Sequence, residues 1–149
     1  MISLKQLREY FEGLVERVDG LKQAVPLTIE ANMADKVNSI GEEESPVLFY
    51  LPPSSEGAGS IDAFNDRSAC VIFIMKKYTP RRSTSAAVLE DTQPVAEEVK
   101  AALLEDSRRP CHFLKADIAT LSTMPETEFF GNWAGWSVAF TVDNYVDNC

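Results

Sequence analysis

Glu128-Phe129-Phe130-Gly131-Asn132-Trp133-Ala134-Gly135-Trp136-Ser137-Val138-Ala139-Phe140-Thr141-Val142 is the stretch whose reading decides the fold. It gathers both tryptophans and three of the eight phenylalanines around a turn-prone Gly-Asn segment. From Trp136 onward large and small side chains alternate. Trp136, Val138, Phe140 and Val142 share one face; Ser137, Ala139 and Thr141 share the other. A period of two marks a strand with one buried face, so Trp136, Val138 and Phe140 are assigned to the core. Gly131 to Gly135 reads as the turn leading into that strand. Trp133 precedes the alternation and belongs to a turn or to an interface, where tryptophan is enriched. No side chain in the stretch does chemistry, so function must be reached through fold and assembly.

Upstream, residues 111–122 alternate in the same way, with Leu114, Ala116, Ile118 and Thr120 opposite Phe113, Lys115, Asp117 and Leu121. This predicts another strand, with Ile118 in the core, ended by Met124-Pro125. Before it, Asp91 or Thr92 is placed to cap a helix whose first turn holds Pro94. Its inner face is Val95, Val99, Ala102 and Leu103. Residues 79–90 read as a polar loop. The most apolar run is Ala69-Cys70-Val71-Ile72-Phe73-Ile74-Met75. Apolar residues on both faces predict a central strand covered on both sides, with Val71 and Phe73 in the core. Residues 54–67, rich in Gly and Ser, read as a long loop, a length associated with function or disorder. Val47-Leu48-Phe49-Tyr50-Leu51 is a strand opened by Pro46 and stopped by Pro52-Pro53.

At the N-terminus, Ser3 and Gln6 have the spacing of a capping box. Leu4, Leu7, Phe11, Leu14, Val18, Leu21 and Val25 then recur at intervals of three and four. Such a stripe predicts an amphipathic helix packed on a sheet, with Leu7, Phe11, Leu14 and Val18 in the core, ending near Gly20 and Pro26. Met33, Val37 and Ile40 mark a short second helix. The resulting order is α-(α)-β-β-α-β-β. It predicts an α+β two-layer sandwich: a mostly antiparallel sheet of four strands or slightly more, with helices packed on one face. The core list is completed by Val99 and Leu103. A chain of 149 residues is most simply a single domain, residues 1–149.

Composition narrows the function classes. Hydrophobic residues make up 45% and charged residues 25%, ordinary globular values. No apolar run approaches the ~20 residues of a membrane helix, and the amphipathic residues 1–25 are not a signal peptide, so no membrane partner and an intracellular protein are expected. A net charge of −9 argues against nucleic-acid binding through phosphates. The local exception is Lys76-Lys77-Tyr78-Thr79-Pro80-Arg81-Arg82, a solvated strand end or a partner-contacting patch. The three cysteines, Cys70, Cys111 and Cys149, make no pair framework and fit a reducing compartment. Cys70 reads as a buried thiol.

No catalytic set emerges, so no catalytic, cofactor-binding or metal-binding residue is assigned and no enzyme is expected. His112 is the single histidine, which excludes multi-histidine zinc sites. Cys111-His112 looks like a dyad, but strand neighbours point to opposite faces. Glu56-Gly57-Ala58-Gly59-Ser60 lacks the pattern of a phosphate-binding loop. Glu42-Glu43-Glu44 reads as a solvated turn. The interface candidates are Trp133, Phe64, Lys76, Lys77, Arg81 and Arg82.

Residues 45–51, 69–80, 91–104 and above all Asn132-Trp133-Ala134-Gly135-Trp136 with 137–142 carry a resemblance. In order and character of elements the chain resembles the tail terminator (minor tail, tail-completion) proteins of long-tailed bacteriophages and prophages. Residues 31–41 and 54–67 depart from that pattern. The resemblance implies a homohexameric ring that caps the tail tube and joins it to the head connector. It implies a structural protein of the virion tail, in the host cytoplasm during assembly. Its partners would be itself, the tail tube protein and the head–tail connector protein. Neither a cofactor nor sequence-specific nucleic acid is implied. The alternative is a small α+β binding module that recognises a ligand or protein partner through residues 54–67 and 79–90.

Overall fold

The computed structural model describes residues 1–145. Helix α1 (Leu4–Arg17) starts at Ser3, whose hydroxyl accepts from the Gln6 amide at 3.3 Å. Leu7, Phe11 and Leu14 are buried along one face. The helix stops sooner than the stripe does. Val18 is already extended, and Gly20 takes φ +89°, a left-handed conformation that glycine adopts without steric cost. Leu21 and Val25 keep the helical spacing by coincidence. Val25 lies in β1 (Gln23–Pro26), an edge strand absent from the expected order. It pairs parallel with β2 (Val47–Tyr50), Gln23 opposite Val47. Helix α2 (Met33–Asn38) and a 3-10 turn at Glu42–Glu44 lie between the two strands.

The expected 54–67 loop is a β-hairpin. Strand β3 (Ser54–Ser60) turns at Ile61 and Asp62 into β4 (Ala63–Lys77), in continuous register from Ser54–Ala69 to Ser60–Ala63. Helix α3 (Ser85–Ser107) begins well before Asp91. Its cap is Thr84, whose hydroxyl accepts from the Ala87 amide at 3.2 Å, and Pro94 lies inside the helix. Thr92 is buried, and its hydroxyl donates back to the Val88 carbonyl at 2.8 Å. So the second half of the expected 79–90 loop is helix.

Residues 111–122 do not form the expected strand. Ser107 straps them to α3: its hydroxyl accepts from the Ala116 amide at 3.0 Å and donates to the Leu103 carbonyl at 2.7 Å. Leu114 and Ala116 are thereby buried without a ladder, Ala116 making only an isolated bridge to Val142. Asp117 caps a 3-10 turn (Ile118–Thr120), which throws Ile118, assigned to the core, out to 62% exposure. Strand β5 (Ser122–Phe129) follows and includes Met124 and Pro125 instead of ending there. As an edge strand it tolerates Pro125, which has no amide to donate. Phe130 (φ 45°) and Gly131 (φ 86°) make the turn into β6 (Trp133–Tyr145), so the strand starts at Trp133.

The class is α+β, with six strands in place of about four. The sheet order is β1-β2-β4-β6-β5, with β3 also paired to β4 and every pair but β1–β2 antiparallel. Helices α1 and α3 cover one face, where Leu7, Phe11, Leu14, Val18, Val99 and Leu103 meet Ile72, Ile74, Val138 and Phe140, with half-buried Trp136 at the margin. Helix α2 departs from the expected arrangement and packs on the opposite face: Met33 and Val37 join Val47, Phe49, Met75 and Trp133. Val71 and Phe73 also belong to this second face, where they are only half-buried.

Two features hold the layers. Asp106 of α3 is buried and accepts from the Tyr10 hydroxyl at 2.7 Å and the Arg17 guanidinium at 2.6 Å, both on α1. Burial pushes the Asp106 carboxyl up, but the Arg17 and Tyr10 hydrogen bonds outweigh it and hold the pKa below the ordinary 3.8. Burial, then the hydrogen bond to Asp106, raises the Tyr10 hydroxyl. At the sheet centre, a Cβ on Gly135 would sit 2.0 Å from the Ile74 carbonyl oxygen. No side chain fits there while β6 stays on β4.

Gly135→Ala is therefore expected to cost about 3 kcal/mol or more, read as a lowered urea midpoint. Asp106→Asn is expected to cost roughly 2 kcal/mol at neutral pH. Because the folded pKa of Asp106 is depressed, its contribution is complete above the ordinary carboxylate pKa and is lost as pH falls through the folded value. The wild type should thus lose more stability on acidification than Asp106→Asn does; parallel curves would exclude the linkage.

Candidate functional site

Ser54-Ser55-Glu56-Gly57-Ala58-Gly59-Ser60 has little intrinsic strand preference. It is extended because β4 supplies a full ladder, and it has β4 on one edge alone. The result is an arm roughly 20 Å long, exposed along nearly all of β3. Phe64 braces it: its ring lies where a Cβ on Gly57 would be 2.9 Å away, leaving Phe64 50% exposed. Ile61, at the tip, is 97% exposed. On β4, Arg67 is held across the ladder by Asp143 at 2.9 Å.

A groove of about 260 Å³ lies between the start of α1 and the ends of β1 and β2, walled by Leu4, Pro26, Tyr50 and Pro52 with Lys5 and Arg8. The second sheet face is covered by α2 at one end only. Beyond it, Val71, Phe73 and Ala139 are half-buried, Leu51 is exposed, and Met124 on β5 is 59% exposed.

The sequence-assigned interface residues do not converge. Trp133 is fully buried and packs edge-on against Phe49, centroids 5.3 Å apart. It is core, because β6 begins two residues before Gly135 and puts Trp133 on the α2 face. Its indole N–H makes no hydrogen bond among the described residues. The Lys77 ammonium donates to the Asn38 and Ile40 carbonyls at 2.7 and 2.8 Å, satisfying the end of α2. Lys76 pairs with Asp91 of α3 at 3.4 Å. Arg81 and Arg82 are exposed in the turn before α3, and Phe64 is on the arm. The basic run is thus two strand-end lysines with structural partners and two solvated arginines. The signals that were missed, Ile61 and the Leu4–Tyr50 groove, gave no motif: one is an isolated hydrophobe, the other joins three separate segments.

Reactive chemistry is not assembled at these places. Burial pushes the Cys70 thiol up to about 12, which keeps it protonated and unreactive. Cys111 and His112 lie in a turn, not a strand. Nδ1 of His112 faces the Leu114 backbone, 3.1 Å from its carbonyl oxygen, and Cys111 is disulfide-bonded, contrary to the expected unpaired cysteines. Cys149 lies outside the described residues. Among the described residues no His, Cys, Asp or Glu cluster is arranged to hold a metal, and no helix is long and apolar enough to cross a membrane.

Comparison with protein-family models and with curated proteins finds no match for this chain.

The placements of Trp133 in the core and Ile61 at the hairpin tip are measurable. Trp133→Ala is expected to cost about 3–5 kcal/mol, and Ile61→Asp to stay within about 0.5 kcal/mol of wild type. Equal costs in denaturant titrations would contradict both placements.

Proposed function

We propose that this chain is a ring-forming structural protein of a long-tailed phage or prophage. It would cap the tail tube and join it to the head connector, as the family it resembles does. The observation that carries this reading is the half-covered second sheet face. Val71, Phe73 and Ala139 continue the α2-side core into an open strip that ends at exposed Met124 and Leu51. Folding normally buries apolar sheet faces, and an open remainder marks a contact surface. A neighbouring copy or the tube rim supplies the missing layer.

Two further features support it. Among the described strands, β3 leaves its outer edge unpaired and exposed, an edge suited to meeting a neighbour. Its net charge of −9 disfavours adhesion of DNA to the wall of a ring through which DNA passes. On this reading the protein works by shape and assembly, with neither cofactor nor catalysis.

The test is tube termination. Purified protein added to polymerising tail-tube subunits should stop growth and appear by electron microscopy as a ring on one tube end. A protein that neither forms rings nor binds tubes sinks the proposal. Met124→Asp should keep the wild-type circular dichroism and melting temperature, since Met124 is exposed, and should weaken ring or tube binding. An unaffected Met124→Asp would remove the sheet face from the contact.

A further inference from the structure

We infer that the hairpin tip of one copy, led by Ile61, docks into the groove between α1, β1 and β2 of the next copy. The inference rests on the ring-forming reading and names the contact that would build the ring.

The tip is an unusual place for an isoleucine. A tight turn between strands needs no apolar residue, and Ile61 touches water over 97% of its surface. Yet its backbone has a defined place, because the register runs unbroken to Ser60–Ala63 beside it and Phe64 packs over Gly57. A positioned backbone lowers the entropy lost on docking.

The groove fits such a side chain. Its volume of about 260 Å³ is several times the ~30 Å³ share of a water molecule. Its walls are the apolar surfaces of Leu4, Pro26, Pro52 and the Tyr50 ring, and Leu4 at its mouth is 58% exposed. The charges match. Among the described residues the ion pairs of Lys5 and Arg8 on the groove are long and intrahelical, to Glu9 at 4.0 Å and Glu12 at 3.8 Å. At the tip Asp62 is exposed beside Ile61; Glu56 lies further back on β3 opposite Arg67, and Asp66 is already held by the Met1 ammonium. Asp62 at the tip therefore meets Lys5 and Arg8 at the groove. Tip and groove are different surfaces of one chain, so when each copy gives its tip to one neighbour and receives a tip from another the contact is heterologous. Such contacts close into rings when the rotation allows, which a symmetric pairing of identical patches does not do.

The test uses full-length chains in analytical ultracentrifugation, with circular dichroism to check folding. Ile61→Asp disables the tip. Leu4→Asp disables the groove and places an acid in the first turn of α1, where it suits the helix. Each variant alone should self-associate about ten- to a hundredfold more weakly than wild type. Mixed in equal amounts, they should form a single heterodimer and nothing larger, since one offers an intact groove and the other an intact tip. Arg8→Glu should weaken assembly, and Asp62→Arg added to it should restore it. Variants that assemble like wild type, a mixture that forms no pair, or a wild type monomeric to millimolar concentration each overturn the contact. So does an Ile61→Asp protein that forms rings normally and loses only tube binding, because the occupant of the groove is then not a second copy. Tube capping measured in parallel separates the two proposals. Capping by Ile61→Asp rings defeats this contact and leaves the function standing. Tip-dependent rings that never cap a tube do the reverse.

Discussion

Strand β6 can lie against β4 along its whole length only because position 135 has no side chain. The two strands pair from Asn65–Tyr145 to Lys77–Trp133, and Gly135 lies where a Cβ would overlap the Ile74 carbonyl. Every other element hangs on this ladder. Strands β2 and β3 share the outer edge of β4, one after the other, and β5 takes the outer edge of β6. The α1–α3 pair is seated on the side chains the ladder turns to one face. Trp133, brought into phase by the same register, closes the smaller core on the other.

That register also accounts for what was legible beforehand. The alternation from Trp136 to Val142 could be read because one face of β6 is roofed by helices and the other is not. The run from Ala69 to Met75 could be read as central because β4 has strands on both of its edges, although its second face is only half covered. What failed to show was structure imposed from a distance. Strand β3 has the composition of a loop and is extended by its partner alone. Strand β1 was hidden because Leu21 and Val25 continue a helical spacing after the helix has ended. Pro94 drew the start of α3 too far along, since proline is common in first turns and its place inside a helix depends on packing. Ile118 followed an alternation created by the Ser107 strap, which no local pattern encodes.

The interface candidates scatter for a related reason. A cluster of basic residues in sequence disperses when a strand and a turn send its members to different partners: Lys77 to the end of α2, Lys76 to Asp91, and Arg81 and Arg82 to solvent. Trp133 was marked by its chemistry and lost to its register. Conversely, the Tyr10–Asp106–Arg17 junction joins residues 96 and 89 positions apart. It becomes visible only when α1 and α3 are laid side by side.

Cys70 turns the sheet into its own stopwatch. The thiol is 3% exposed and protonated in the folded sheet, so an alkylating reagent can take it only during openings of β4. Its rate of modification, located by peptide mass, would count how often the sheet parts. A neighbouring subunit that clamps the arm or the open face would slow that count without touching the sulfur.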